Sequence, residues 1–122
     1  MIQEKCNQTH QYFQAAKRAC QSKIAALQAD HRADEAVFMK IRLNVFEIFH
    51  SVFSVAENTE REDASKLIAF FRMRLDNIPR SWETALEKAK QHENTEAIFI
   101  ENIKLDTVTQ IRVAFYQIWG DE

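Results

Sequence analysis

One glycine and one proline occur among the 122 residues, against usual shares of about 7% and about 5%. Hairpins and tight turns need residues that reach positive φ cheaply or arrive with φ preset. Their scarcity excludes a strand-and-turn fold and predicts long helices. Gly120 directly follows Trp119, the last apolar residue, where a helix C-cap is expected. Pro79 lacks an N–H and disturbs the residue before it, so it should stop or kink a helix.

A dominant charge is missing too. Sixteen Lys and Arg face eighteen Asp and Glu, a formal net charge of −2, and the signs are mixed along the chain. The loosest basic stretch, Lys66, Arg72, Arg74, Arg80, Lys88 and Lys90, is interrupted by Asp76, Glu83 and Glu87. This offers no electrostatic case for a polyanion partner. No apolar run is long enough to span a membrane. The opening MIQEKCNQTHQ has no hydrophobic core of a secretory leader. The most apolar stretch, residues 39–56, still carries Lys40, Arg42, Asn44, Glu47 and His50. Each mid-bilayer charge costs about 2.5–3.5 kcal/mol, so no membrane contact and a cytoplasmic location are expected. The two cysteines, Cys6 and Cys20, fall on one predicted helix, about 21 Å apart at 1.5 Å per residue. A disulfide needs Cα atoms within about 7 Å. The pair reads as two small buried hydrophobes.

What is present is 46% apolar and 28% charged residues, the balance of a folded chain. Residues 1–122 read as a single helical-bundle domain, long enough to bury about two-thirds of its unfolded surface. The first arm, about 2–29, carries a narrow seam of Ile2, Cys6, Thr9, Phe13, Ala16, Cys20, Ile24 and Leu27 at helical spacing. The second arm covers about 33–57, with Asp30 or Asp34 as N-cap. In the third arm, about 61–92, Thr59 and Glu62 have capping-box spacing, and Ala64, Leu67, Ile68, Phe71, Leu75 and Ile78 lead to Pro79. Trp82, Leu86 and Ala89 continue it. The fourth arm, about 94–119, starts at Asn94 and carries Ile100, Thr107, Ile111, Phe115 and Ile118. Arms of similar length with short connections predict an all-α antiparallel four-helix bundle of five helical segments, the third arm kinked or broken at Pro79.

The second arm holds more apolar surface than a surface helix needs. Phe38, Val45, Phe49, Val52, Phe53 and Ala56 form one stripe, and Val37, Ile41, Ile48 and Val55 a second beside it. The arc approaches 180°, where a surface helix uses about 100°. Ile98, Leu105 and Tyr116 likewise lie off the main seam of the fourth arm. Large contiguous apolar patches are rare on monomers. These seven residues, Val37, Ile41, Ile48, Val55, Ile98, Leu105 and Tyr116, are therefore the candidate interaction face. The expected partner is a protein, a second copy of the chain above all. Arg42 and Lys104 sit inside apolar stripes, with Glu35 and Glu101 as the nearest acids on their own helices.

No constellation for catalysis, a metal or a cofactor emerges. Glu47-x-x-His50 is half of a di-metal bundle motif, but it has no second copy and Glu47 points away from the apolar stripe. His10, His31, His50 and His92 fall one per arm, His31 continuing the first seam at a helix end, where a cap or a buried place is expected. No phosphate loop or nucleophile elbow is present. The sequence thus reads as a non-enzymatic bundle acting through protein contacts. One alternative is a bundle that binds a metal or small ligand, with aromatics of the second and fourth arms around it. Another is a helix-turn-helix-like nucleic-acid binder, with Arg80, Ser81, Thr84 and Lys88 as recognition residues; the balanced charge argues against it.

Overall fold

A computed structural model describes residues 2–120. It contains α1 (Ile2–Ala29), α2 (Ala33–Thr59), α3 (Ala64–Asn77), α4 (Arg80–Gln91) and α5 (Thr95–Trp119), with no strand among the described residues. α1 and α2 form a hairpin, α3 and α4 together make the third arm, and α5 the fourth. α2 and α5 run in the same direction, since Phe38 meets Phe99, Arg42 meets Asp106, and Phe53 meets Phe115. α1 runs against both, with Trp119 at the end of α5 reaching Thr9 near the start of α1.

With so little glycine, two connections are made by residues that pay for positive φ. His31 (φ 59°) follows α1, and Glu93 (φ 53°) follows α4. In each case the next two amides turn back onto the helix end. His31 N donates to the Gln28 carbonyl and Arg32 N to Leu27; Glu93 N donates to Lys90 and Asn94 N to Ala89. This is the Schellman arrangement, which normally takes glycine at its left-handed position. His31 thus takes part in capping α1, as its place at a helix end allows, but it is exposed in the turn and not a buried extension of the seam.

The break between α2 and α3 also differs from expectation. Thr59 is the last residue of α2, two residues beyond the expected end, and caps nothing. The N-cap of α3 is Asp63, whose carboxylate accepts from Lys66 N at 3.2 Å. Asp63 directly precedes the apolar seam, so its carboxylate meets the first free amides. Asn94 caps α5 as expected, accepting from Ala97 N at 3.1 Å, and Gly120 (φ 80°) closes it.

Pro79 kinks the third arm without reversing it. Ile78 and Pro79 both hold right-handed helical angles. Proline cannot donate to the carbonyl four residues back, which frees the Leu75 oxygen. Arg112 on α5 takes that place: its Nη2 donates to the Leu75 carbonyl at 2.7 Å, and its Nη1 pairs with Asp76 at 2.8 Å. The kink is thereby tied to the fourth arm.

The core centres on Phe71, fully buried, with Phe13, Phe49, Phe53 and Phe115 around it at centroid distances of 4.5–6.5 Å. Most contacts are edge-to-face, the geometry aromatic quadrupoles prefer. The buried positions of α1 are Cys6, Thr9, Phe13, Cys20 and Leu27, all from the seam its spacing marks. Both cysteines are free and buried.

Candidate functional site

Three surfaces or clusters could carry a function. The first is a polar cluster where the two ends of the α1–α2 hairpin meet. The hairpin sets His10 level with His50 and, one to two turns further on, Glu57. His10 Nδ1 lies 2.9 Å from His50 Nε2, and His10 Nε2 lies 2.7 Å from Glu57 Oε1. With the carboxylate accepting from His10 Nε2–H, His10 Nδ1 is free to accept from His50 Nε2–H, giving a one-directional chain. Phe13 stacks on the His50 ring at 5.0 Å, and Phe53 packs edge-on against His10. Burial, with Lys17 and His10 nearby, lowers the His50 pKa from 6.5 to about 4, so the ring is neutral at pH 7. Burial, with the Glu57 charge beside it, pushes the Cys6 thiol up to about 11, which keeps it protonated and unreactive. Thr9 donates to the Lys5 carbonyl and accepts from Trp119 Nε1–H at 2.8 Å, so both buried polar groups are satisfied.

This cluster has both nitrogens of its central histidine spent on protein partners. Among the described residues no group of three or more His, Cys, Asp and Glu is arranged to hold a metal ion. Glu47 is exposed, and His50 engages His10 instead. The arrangement orients two helices against each other.

The second feature is a groove between α1, α2 and α5. Two adjoining hollows, of about 420 and about 480 Å³, share Lys23, Met39 and Arg42. Tyr12, Ala16, Cys20 and Phe46 line one, and Leu27, Phe38, Phe99 and Ile103 the other. Arg42 pairs with Asp106 across to α5 at 3.1 Å. Its expected neighbour Glu35 is instead paired with Arg32 in the turn region, because the α1–α2 turn carries Arg32 onto the same end of α2. Lys104 and Glu101 pair as their spacing implies, at 3.3 Å.

The third feature is the outward seam of α5. Ile98, Leu105, Val113 and Tyr116 recur at helical spacing on the side opposite the core stripe, with Asn102 and Thr109 between them. Val113 and Tyr116 are each 52% exposed. With Arg112 and Gln117 they line a shallow hollow of about 440 Å³, flanked by two others. One is lined by Arg72, Leu75, Asp76, Arg112 and Phe115, the other by Tyr12, Thr109, Gln110, Ala114 and Gln117.

The structure distributes the seven sequence-selected residues unevenly. Val37, Val55 and Tyr116 are about half exposed. Ile41, Ile48, Ile98 and Leu105 are half-buried, and Ile48 packs against the core. Val113 was not selected from the sequence, although it stands three residues before Tyr116 on the same seam. The candidate recognition residues Arg80, Ser81, Thr84 and Lys88 are exposed on α4. Only two residues, both at helical angles, separate α3 from α4, shorter than the three- to four-residue turn of a helix-turn-helix. No helix among the described residues is long and apolar enough to cross a membrane. Comparison with protein-family models, curated proteins and solved structures finds no match to this chain.

Proposed function

We propose that this protein is a non-enzymatic contact module that self-associates through the outward seam of α5. The observation that carries the reading is that α5 is apolar on two sides. Its inner stripe, with Ile111, Phe115 and Trp119, is buried in the bundle. Its outer seam leaves Val113 and Tyr116 open beside hollows on either flank. A helix that is apolar all round is normally covered all round. A two-fold axis would set the exposed Val113 and Tyr116 side chains of each copy against the hollows of the other. The His10–His50–Glu57 chain fits this role as a polar lock on the hairpin register.

Light scattering after size exclusion tests the reading. The expected mass exceeds one chain, and Val113→Asp with Tyr116→Asp gives a folded monomer. A strict monomer over a wide concentration range overturns it. Ile41→Asp with Ile48→Asp is the weaker probe, since Ile48 packs on the core and its loss would unfold the chain.

A further inference from the structure

We propose that the groove between α1, α2 and α5 binds a free fatty carboxylate, its head group at Arg42 and Lys23 and its acyl tail along the hollow of Tyr12, Ala16, Cys20 and Phe46. The head-group end, at Arg42 and Lys23, lies outside the hollows that flank the outward seam of α5, while Tyr12 and Gln110 line both the groove and one of those hollows.

The argument starts from unspent hydrogen-bond donors. A guanidinium carries five N–H groups in a fixed fork and no acceptor. Arg42 gives Nη2 to Asp106 at 3.1 Å, but its Nη1 is shut away from bulk water with no hydrogen-bond partner. A buried donor without a partner is costly, more so when charged. Lys23 lines the same two hollows and forms no ion pair among the described residues. Tyr12 lines one of them, and burial raises its pKa to about 12, so it stays protonated. Of the carboxylates nearby, Asp106 pairs with Arg42 but is 58% exposed and so a weak counter-charge, and Glu35, in the outer hollow, is paired with Arg32.

Apart from Gln110, the remaining lining of the inner hollow is apolar: Ala16, Ala19, Cys20, Met39 and Phe46. An apolar trough with convergent cationic donors recognises a molecule with one anionic end and a hydrocarbon body. Its about 420 Å³ falls within the about 300–1,000 Å³ of ordinary ligand pockets. The direction of the tail is set by charge. Glu35 lines the outer hollow and repels a carboxylate there, so the head stays at the shared Arg42–Lys23 junction. The inner hollow carries no acidic side chain. A flexible methionine at the junction, Met39, can adapt to the chain.

Titration calorimetry of the full chain with dodecanoate, kept below its micelle concentration, tests this. Saturable one-to-one binding is expected, with dodecanol at least about tenfold weaker because it lacks the charge. Lys23→Glu should weaken dodecanoate by at least about tenfold without loss of helicity, since Lys23 is exposed on α1. Arg42→Gln should do the same. If that variant unfolds, Lys23→Glu alone decides. No saturable binding, equal affinity for dodecanol, or an unchanged affinity in Lys23→Glu overturns the site. Tighter binding of dodecyl phosphate than of dodecanoate overturns the carboxylate assignment.

Discussion

His50 is held neutral by its surroundings, and that makes stability depend on pH with a definite sign. Burial lowers its folded pKa to about 4, with Lys17 and His10 adding repulsion against a second positive charge. The unfolded ring titrates near 6.5. Between those values the unfolded chain binds a proton that the folded chain refuses, so folding weakens as pH falls from about 6.5 to about 4. Thermal melts across this window should show the midpoint dropping. His50→Phe, which keeps a ring against Phe13, should drop less over the same window; an equal drop in both proteins would mean that other groups set the slope. None of this chain of groups was legible in the sequence. His10 and His50 are forty residues apart, and within either helix each is a lone histidine beside an apolar seam. The contact exists only once the α1–α2 turn has fixed the register, and that turn rests on His31 at positive φ, a position no residue type announces. Arg42 shows the same limit: its own helix offered Glu35, while its partner Asp106 comes from α5.

At the scale of the elements, helix type and order follow from periodicity and from the want of glycine. The stripes of α1, α3 and α5 repeat at helical spacing over several turns, and such patterns survive any detail of packing. Boundaries are weaker because several polar residues can serve as caps. Between α2 and α3, Thr59, Glu62 and Asp63 all stand near the break, and the one at the foot of the seam prevails. The kink carries the clearest element-scale prediction. Pro79 frees the Leu75 carbonyl, and Arg112 satisfies it from α5 while pairing with Asp76. Arg112→Met should therefore cost about 1.5–3 kcal/mol, the range for a hydrogen bond from a charged donor. Pro79→Ala returns a backbone N–H to that carbonyl, so in its presence the same arginine substitution should cost distinctly less. Urea unfolding of the four proteins of this cycle measures the coupling. Simple additivity would show that Arg112 is not the replacement for the missing amide.

For the whole molecule, the seven residues chosen from the sequence mark two different situations. Ile41, Ile48, Ile98 and Leu105 are half-buried, since each bundle helix meets more than one neighbour and so uses a wider arc than an isolated surface helix. Val37, Val55 and Tyr116 remain about half exposed, joined by Val113, Met73 and Phe99. Within this surplus, Val113 and Tyr116 on α5 lie among hollows against which a second copy would seat in the proposed dimer. Pairing of folded chains pulls the unfolding equilibrium by mass action. Once most chains are paired, each tenfold rise in concentration adds about 1.4 kcal/mol per dimer, half of it per chain. For a chain of this length that is roughly 2–3 °C in melting midpoint per tenfold. Wild-type melts should climb by that amount across a dilution series, and Val113→Asp with Tyr116→Asp should melt at one temperature throughout. Dodecanoate should raise the midpoint of both proteins at fixed protein concentration, because neither Val113 nor Tyr116 lines the groove. A concentration-independent midpoint in the wild type would remove the dimer and leave the groove as the working surface. A dodecanoate shift that vanished together with the dimer would instead place the ligand between two copies.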